Sequence, residues 1–308
     1  MFSHALSTIK GGWQLLRFIA VVSSSVATIV STLLPLYLYS DVSSSQLSYI
    51  FMLLIFGAVL IHGVLTHILN DYIDDKSGTD THSPAILSGG SRVIQTGTIS
   101  SETMWKLGKG LILILSIVVI GLLLAQSFKL AILLSIGMWG AISYSLPPLL
   151  LSYRPFLGEW LSTFPSVLFL GLAGAWLALD TLPEWAWQNA TINALICIAW
   201  VMIHHIPDME ADRQATPMKQ TCVVWSADTF GKAFCRLPAL LYFGLTGLCA
   251  IWLGIDRIVA AGGVLVTVII SMVLIVKMDV DDHEQVSNYE KVILMLAMGT
   301  AVWLGICI

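Results

Sequence analysis

The chain has 308 residues, of which 57% are hydrophobic and only 11% are charged, and its mean hydropathy is +0.85. A soluble protein carries charge on about a quarter of its residues, so this composition excludes an ordinary soluble domain. The formal net charge of −4 gives no sign of a nucleic-acid partner, and none is expected.

Apolar runs of about 20 residues recur along the chain, which is the length that a helix needs to cross a bilayer. The predicted spans lie near residues 15–39, 48–70, 107–126, 129–150, 156–178, 190–206, 233–253, 258–277 and 288–308. Helices are expected, because backbone polar groups must be satisfied inside the bilayer and no run alternates like a barrel strand. The sequence predicts an all-α integral membrane protein, with about nine transmembrane helices surrounding a central cavity in a single domain, 1–308. A weak internal repeat, 15–126 and 129–253, is also expected.

Lysine and arginine are distributed unequally between the two sides of the predicted bundle. One side holds thirteen of the fifteen: Lys10, Arg17, Lys76, Arg92, Lys106, Lys109, Arg154, Arg213, Lys219, Lys232, Arg236, Lys277 and Lys291. Only Lys129 and Arg257 fall on the other side. Positive charge collects on the cytoplasmic side, so we expect a cytoplasmic N-terminus in a bacterial or archaeal-type inner or plasma membrane.

The long connection after span 2 begins with an acidic cluster, Asn70-Asp71-Tyr72-Ile73-Asp74-Asp75-Lys76-Ser77-Gly78-Thr79-Asp80. Residues three and four positions apart share a helix face, so Asp71 stacks against Asp74. Gly78 is expected to end the helix and to leave Asp80 in the loop. Stacked carboxylates repel one another near lipid, so the cluster predicts a bound cation.

The connection after span 6 begins in a similar way, with His204-His205-Ile206-Pro207-Asp208-Met209-Glu210-Ala211-Asp212-Arg213. Asp208 and Asp212 share a helix face, and Pro207 is expected to kink or restart the helix. Magnesium prefers oxygen ligands and binds one or two carboxylates together with substrate phosphates. Two facing clusters therefore predict Mg²⁺ that carries a diphosphate, while solvated loop charges are the alternative.

Basic residues accompany both clusters. Arg92 ends the run Ser88-Gly89-Gly90-Ser91-Arg92, whose glycines permit backbone conformations that bring N–H groups close to an anion. Arg213 and Lys219 follow Asp212 and are placed to neutralise a departing diphosphate. A surface charge of the positive-inside kind is the alternative interpretation of each.

Three ordered motifs resemble those of the UbiA-type intramembrane prenyltransferase superfamily. The run 70–80 is similar to its first acidic motif, and most similar to the branch that prenylates 1,4-dihydroxy-2-naphthoate in menaquinone synthesis. Asp208-x-Glu210-x-Asp212-Arg213 resembles the second motif. Tyr144-Ser145-Leu146-Pro147-Pro148, followed by Gly158-Glu159, is similar to the family's segment after span 4.

The resemblance implies a role for each polar residue of these motifs. Four aspartates would bind Mg²⁺ and the polyprenyl diphosphate: Asp71, Asp74, Asp208 and Asp212. Three residues would support them: Asn70, Asp80 and Glu210. Three basic residues would hold the diphosphate: Arg92, Arg213 and Lys219. Tyr144 would face the allylic cation, since an aromatic face attracts positive charge when water is excluded.

The chain departs from the family pattern at three places. After Arg213, the usual Gly-Lys-x-Thr-type run is altered to Thr216-Pro217-Met218-Lys219-Gln220-Thr221. Many relatives carry basic residues after the double proline, where this chain has Leu150 and Ser152, and Arg154 is the nearest replacement. The naphthoate branch often has Asn-Asn and Arg before the second motif, where this chain has the run 204–207. Ile-Pro-Asp with Glu-x-Asp-Arg is more similar to enzymes that add prenyl groups to carotenoids, so the acceptor stays open.

Two further groups of ionisable residues are candidate sites. His204 and His205 are compatible with a transition-metal site, but no further histidine or cysteine ligand supports it. A partner to an aspartate or a contact to the acceptor is favoured instead. The acidic patch 279–284 lacks helical phasing and is interpreted as a solvated loop.

The sequence therefore predicts an enzyme that transfers a prenyl group, with Mg²⁺, from a polyprenyl diphosphate to an aromatic quinone precursor through an allylic carbocation. Its expected partners are the diphosphate, a lipophilic or aromatic acceptor and membrane lipids. A terpene cyclase and a carotenoid-extending prenyltransferase fit the same diphosphate site. A membrane transporter is the non-enzyme alternative.

Overall fold

The computed structural model describes residues 18–84, 88 and 90–308, with side chains described from residue 24 onward. Within these residues the chain forms helices and no strand. The long helices are α1 Phe18–Tyr39, α2 Ser44–Ser77, α3 Ser101–Leu124, α4 Phe128–Ser145, α5 Glu159–Ala178, α6 Glu184–His204, α7 Lys232–Leu253, α8 Ile258–Lys277 and α9 His283–Ile306. Three short helices, Thr79–His82, Met209–Gln214 and Cys222–Phe230, lie in the connections after α2 and α6.

Helices α2 to α9, eight of those described, are long and apolar enough to cross a membrane. The predicted all-α membrane architecture is thereby confirmed. α1 contributes the shorter apolar segment Ser24–Tyr39, and the predicted first span begins at residue 15, outside the described residues. The ninth span therefore stays a prediction, as do the charges Lys10 and Arg17 that help to orient it.

Helix α6 lies at the centre of the bundle and is mostly buried, whereas α3 lies at the edge and is mostly exposed. Helix α6 packs against α1, α5, α7 and α9, and its buried alanines permit this close approach. The Asn189 amide donates to the carbonyl oxygens of Ser31 at 2.8 Å and Leu304 at 3.1 Å. One buried side chain thus joins α1, α6 and α9.

Helix α2 continues beyond the predicted membrane span, which ends near residue 70. Helical bonding continues through Asp71 and Asp74 to Ser77, and Gly78 ends the helix with a φ of +83°, as predicted. Asp80 was expected in the loop, but it lies in the short helix Thr79–His82. The left-handed bend at Gly78 redirects the chain, and one further turn of helix forms after it.

The second acidic segment begins where α6 ends, at His204, and a short helix restarts at Met209 after Pro207, as predicted. The Thr216 backbone N–H donates to the Ser77 carbonyl oxygen at 2.9 Å. This bond joins the chain after the second acidic segment to the end of the first. The two segments therefore meet at one end of the bundle.

The acidic residues of the patch 279–284 are exposed between α8 and α9, as expected for a solvated loop. Lys232 donates to Asp281, a basic partner that sequence reasoning did not find.

Candidate active site

A cavity of about 230 Å³ lies at the end of the bundle where the acidic segments meet. Its polar lining at this end includes Asn70, Asp74, Thr79, Asp80, Ser83, Ser88, His204, His205, Asp208 and Lys219. Small and apolar residues from nearer the middle of α2, α4, α5 and α6 also line it: Ile61, Gly137, Gly140, Ala141, Val167, Cys197 and Val201. The cavity thus joins a charged part to an apolar part.

Two wide helical turns with π-type bonding, Val59–Leu65 in α2 and Glu159–Thr163 in α5, form part of the cavity wall. They place His62 and Ser162, respectively, in the lining. Such turns shift the register of side chains around a helix and are frequent at functional sites.

Lys219 is 4% exposed and joins the two acidic segments. Its Nζ donates to both Oδ atoms of Asp74 at 3.0 Å and lies 3.8 Å from Oδ1 of Asp212. Asn70 donates from Nδ2 to Asp74 Oδ2 at 2.8 Å, as expected for two residues on one helix face. The Lys219 backbone N–H donates to the Asp212 carbonyl oxygen at 2.9 Å, which holds the lysine against the second segment.

Serine hydroxyls from the connection after α2 bind two of the predicted aspartates. Ser83 and Ser88 donate to Asp208 Oδ1, the latter at 3.1 Å. Ser91 donates to Asp71 Oδ2. Asp208 and Asp71 are both buried, but Asp208 lines the cavity whereas Asp71 is not among the lining residues.

Tyr144 lies at the end of α4 and lines the cavity. Its hydroxyl lies 3.2 Å from His205 Nε2, and Nδ1 of the same imidazole lies 3.9 Å from Asp212 Oδ2. His205 therefore connects the predicted aromatic residue to a predicted metal ligand.

Asp80 lies against the connection that carries Arg92. The Asp80 carboxylate is so close to Gly90 that any side chain there would overlap it, and Gly90 has a φ of +68°. Arg92 donates to the Ser83 carbonyl oxygen. Gly89, part of the predicted anion-binding run, lies outside the described residues.

Six predicted site residues are not among those that line the cavity: Asp71, Arg92, Arg154, Glu210, Asp212 and Arg213. Arg213 donates from Nε and Nη2 to Asp228 Oδ1 at 2.9 and 2.5 Å, and from Nη1 to Glu210 Oε1 at 2.7 Å. Glu210 is exposed, and so is Arg154 in the connection between α4 and α5.

Burial and charge act together on the ionisable groups of the site. Burial raises the pKa of Asp212 well above its ordinary value; Lys219 opposes this shift, and Asp208 and Asp74 reinforce it. For Lys219, burial disfavours the charged form, but Asp74 and Asp212 outweigh it and raise the pKa well above its usual range. The ammonium therefore stays protonated. Burial, reinforced by Asp74, raises the pKa of Tyr153 to about 12, so this phenol is neutral.

The donor set fits a hard divalent cation. Asp212 is fully buried, and neither of its carboxylate oxygens has a hydrogen-bond partner among the described residues. Such a group is costly unless a cation satisfies it. In the described part of the chain, no group of three or more His, Cys, Asp or Glu side chains is close enough to hold a metal ion without other ligands. The carboxylates therefore supply only part of a coordination shell, and Mg²⁺ commonly takes its remaining ligands from water and phosphate.

Sequence reasoning missed the serine partners of the aspartates and also Glu290, which lies 2.7 Å from His204. Serines in an irregular connection show no periodicity that would single them out. Glu290 precedes Lys291 near the start of an apolar helix, which is the pattern of an ordinary helix end.

Solved structures with this fold include a UbiA homolog from Archaeoglobus fulgidus bound to GPP and Mg²⁺. It matches with a TM-score of 0.64 and 14% identity, covering 96% of this chain and 99% of that chain. A second structure of a UbiA homolog from the same organism gives a TM-score of 0.61 and 14% identity, covering 94% and 98%. At this identity the likeness shows the fold. No curated protein matches the sequence.

A bundle of membrane-spanning helices encloses a cavity that has buried carboxylates and Lys219 at one end and apolar walls further in, which defines an integral membrane protein with an amphipathic cavity. The chain belongs to the UbiA prenyltransferase family, whose family model matches residues 25–305. It is accordingly a prenyltransferase and an integral, multi-pass membrane protein.

Proposed function

We propose that this enzyme transfers a prenyl group from a polyprenyl diphosphate to an electron-rich aromatic acceptor, a quinone precursor, at the cytoplasmic face of the membrane. The observation that carries the proposal is the buried Lys219, held between Asp74 and Asp212 in the wall of an apolar cavity. Carboxylates beside an ammonium complement the two parts of a metal–diphosphate group. The binding of GPP, a prenyl diphosphate, and Mg²⁺ by the Archaeoglobus fulgidus homolog supports the same assignment.

The proposed ligands of Mg²⁺ are the four aspartates of the two acidic segments: Asp71, Asp74, Asp208 and Asp212. When bound, the metal neutralises charge on the diphosphate and so favours breaking of the allylic C–O bond. Ser83 and Ser88 orient Asp208, and Asn70 orients Asp74. Asp80 and Glu210 have supporting roles.

The remaining residues act on the organic part of the reaction. Lys219 donates to the departing diphosphate, and Arg92, Arg213 and Arg154 add positive charge further out. The face of Tyr144 attracts the allylic cation. The apolar walls from α2, α4, α5 and α6 keep water from that cation until the acceptor carbon attacks it.

A neutral polyene acceptor, as in carotenoid-extending enzymes, is a second candidate that the cavity charges favour. Lys219 is the one lysine or arginine in the described lining of the cavity, and it is already paired with Asp74. A naphthoate or benzoate acceptor carries its own carboxylate, which is costly to bury without a second cation. A polyene has no such requirement.

Product analysis tests the proposal. The purified protein is incubated with Mg²⁺ and prenyl diphosphates of several lengths, with a dihydroxynaphthoate, a hydroxybenzoate, an acyclic carotenoid or no acceptor. We expect diphosphate release and a prenylated aromatic product, both lost when EDTA removes Mg²⁺. A prenylated carotenoid would favour the second candidate, and hydrocarbon or alcohol products without acceptor would indicate a cyclase.

Matched variants test the metal site. Asp208→Asn keeps the size of the side chain but removes its charge, and should lower Mg²⁺-dependent diphosphate release by about 10²-fold or more. Asp281→Asn, in the exposed patch, is the control and should behave as wild type. Full turnover in Asp208→Asn contradicts the proposed role.

A further inference from the structure

His204 and Glu290 form a pair beside the cavity that the proposed donor site does not use. His204, the last residue of α6, lines the cavity, and its Nδ1 lies 2.7 Å from Oε1 of Glu290 in α9. Glu290 is 0% exposed, and its Oε2 has no hydrogen-bond partner among the described residues. The Trp200 ring stacks on His204 with 5.3 Å between centroids, and its Nε1 donates to the Glu290 carbonyl oxygen at 3.1 Å. Two helices therefore fix the orientation of this imidazole.

The orientation determines which nitrogen is available to a substrate. Nδ1 bound to a carboxylate carries the proton, and Nε2, on the opposite edge of the ring, then keeps its lone pair. A carboxylate held against Nδ1 also stabilises the imidazolium that forms when Nε2 accepts a proton. A fully buried carboxylate is costly to retain for packing alone, which favours a chemical role for the pair.

We infer that His204, oriented by Glu290, accepts the proton that the acceptor loses after the prenyl group has been attached. This inference rests on the proposed prenyl transfer. The allylic C–O bond breaks and its electron pair leaves with the diphosphate. A π electron pair of the acceptor forms the new C–C bond to the prenyl carbon.

The C–H bond at the attacked carbon then breaks, and its electrons restore a double bond in the product. The proton moves to Nε2 of His204, and water later takes it up. Glu290 exchanges no proton with the acceptor, so it is a positioning residue, whereas His204 touches the acceptor.

His204→Asn separates proton acceptance from packing. The Asn amide nitrogen takes the place of Nδ1 and can still donate to Glu290, but it offers no basic nitrogen. With geranyl diphosphate as donor and the acceptor that wild type uses, diphosphate release should stay within about threefold of wild type, since breaking the C–O bond needs no base. Prenylated product should fall by about tenfold or more, and prenyl alcohol or hydrocarbon should replace it.

Two further measurements make the result specific. A primary isotope effect on the yield of prenylated product should appear in His204→Asn when the attacked acceptor carbon carries deuterium, because proton loss then limits the fraction of the cation that becomes product. Glu290→Gln should shift the ratio of product to diphosphate in the same direction, but less. His283→Asn, a matched change at an exposed position in α9, should give the wild-type ratio.

The outcomes separate this inference from the proposed function. Equal losses of diphosphate release and product in His204→Asn and Glu290→Gln would overturn it, because the pair would then be structural. A wild-type ratio in His204→Asn would overturn it as well. A wild-type enzyme that releases no diphosphate from any prenyl donor would instead refute the proposed function, and the inference with it.

Discussion

The basic residues near the acidic segments differ in burial, and burial determines how strongly each acts on a substrate. Lys219 has 5% of its side chain exposed, whereas Arg213 has 26% and is already bound to Asp228 and Glu210. Charges in a water-poor environment interact much more strongly than charges at the surface. A partly exposed ion pair contributes about 0–1 kcal/mol. The two residues look alike in the sequence but not in the structure.

This contrast predicts unequal effects of two matched substitutions. Lys219→Gln keeps a donor for Asp74 but removes the charge, and should lower diphosphate release by about 10²–10³-fold. Arg213→Gln should lower it by about fivefold at most. Assays on both variants, with thermal unfolding in detergent as the folding control, check this. If the two variants lost diphosphate release equally, Arg213 would contribute as much as Lys219, and this account would be wrong.

The raised pKa of Asp212 predicts that the Mg²⁺ requirement depends on pH. A raised pKa favours the protonated carboxyl, and Mg²⁺ binds the ionised form, so binding releases a proton and strengthens as the pH rises. The Mg²⁺ concentration that gives half-maximal diphosphate release should therefore decrease as the pH rises. Titrations at several pH values measure it. A requirement that is constant with pH would contradict this account.

At the scale of helices, α4 provides the room for an apolar chain. Gly137, Gly140 and Ala141 line the cavity from the middle of this helix, and the Gly140 carbonyl oxygen accepts from Ser162 Oγ at 2.7 Å. A side chain at Gly140 would overlap Ser166, so α4 and α5 approach closely there. Small residues thus serve both packing and cavity volume.

Filling this space should change which prenyl donors are accepted. Ala141→Phe extends a buried lining residue into the apolar part, so turnover of long prenyl diphosphates should fall by about tenfold while the shortest are retained. Competition between donors of different length measures the ratio. Ala125→Phe, at the end of α3 and outside the cavity lining, is the matched control. An unchanged preference would show that the chain leaves by another route.

The sequence predicted elements better than contacts. Apolar runs located the helices α2 to α9, because a bilayer requires about 20 apolar residues in each span. Capping chemistry located the end of α2 at Gly78. The apolar pattern ends at residue 70 and therefore does not mark the polar end of α2. That last part of the helix is stabilised by its own backbone hydrogen bonds and not by contact with lipid. The wide turns in α2 and α5 have no sequence signature at all.

Within the site, the sequence predicted a contact between residues on one helix, but it did not predict contacts between residues far apart in the chain. The Asn70–Asp74 bond follows from helix geometry alone. The contact between Lys219 and Asp74 joins residues 145 positions apart, and that between His204 and Glu290 joins residues 86 apart. Such pairs depend on how the helices pack, which one sequence does not specify.

At the scale of the whole molecule, the distribution of charge predicts the orientation in the membrane. Asp281 is exposed at the end that carries the acidic segments, and Asp180 is exposed between α5 and α6 at the other end. If the positive side is cytoplasmic, a cysteine replacing Asp180 should react with an impermeant maleimide in intact cells. A cysteine replacing Asp281 should react only after permeabilisation. The reverse labelling would invert the proposed orientation.

The Lys219–Asp74 pair has a consequence for how the enzyme and its donor find each other. The Lys219 ammonium already has Asp74 as its counter-ion, so under the proposed function an arriving diphosphate would replace one anionic partner by another. The Asp74 carboxylate released in this exchange would then be available to the proposed metal ion. Donor and metal should therefore bind interdependently, each raising the affinity of the other. Such an enzyme should discriminate against the many lipid phosphates around it, because a lipid phosphate arrives without the metal ion that would bind the released carboxylate.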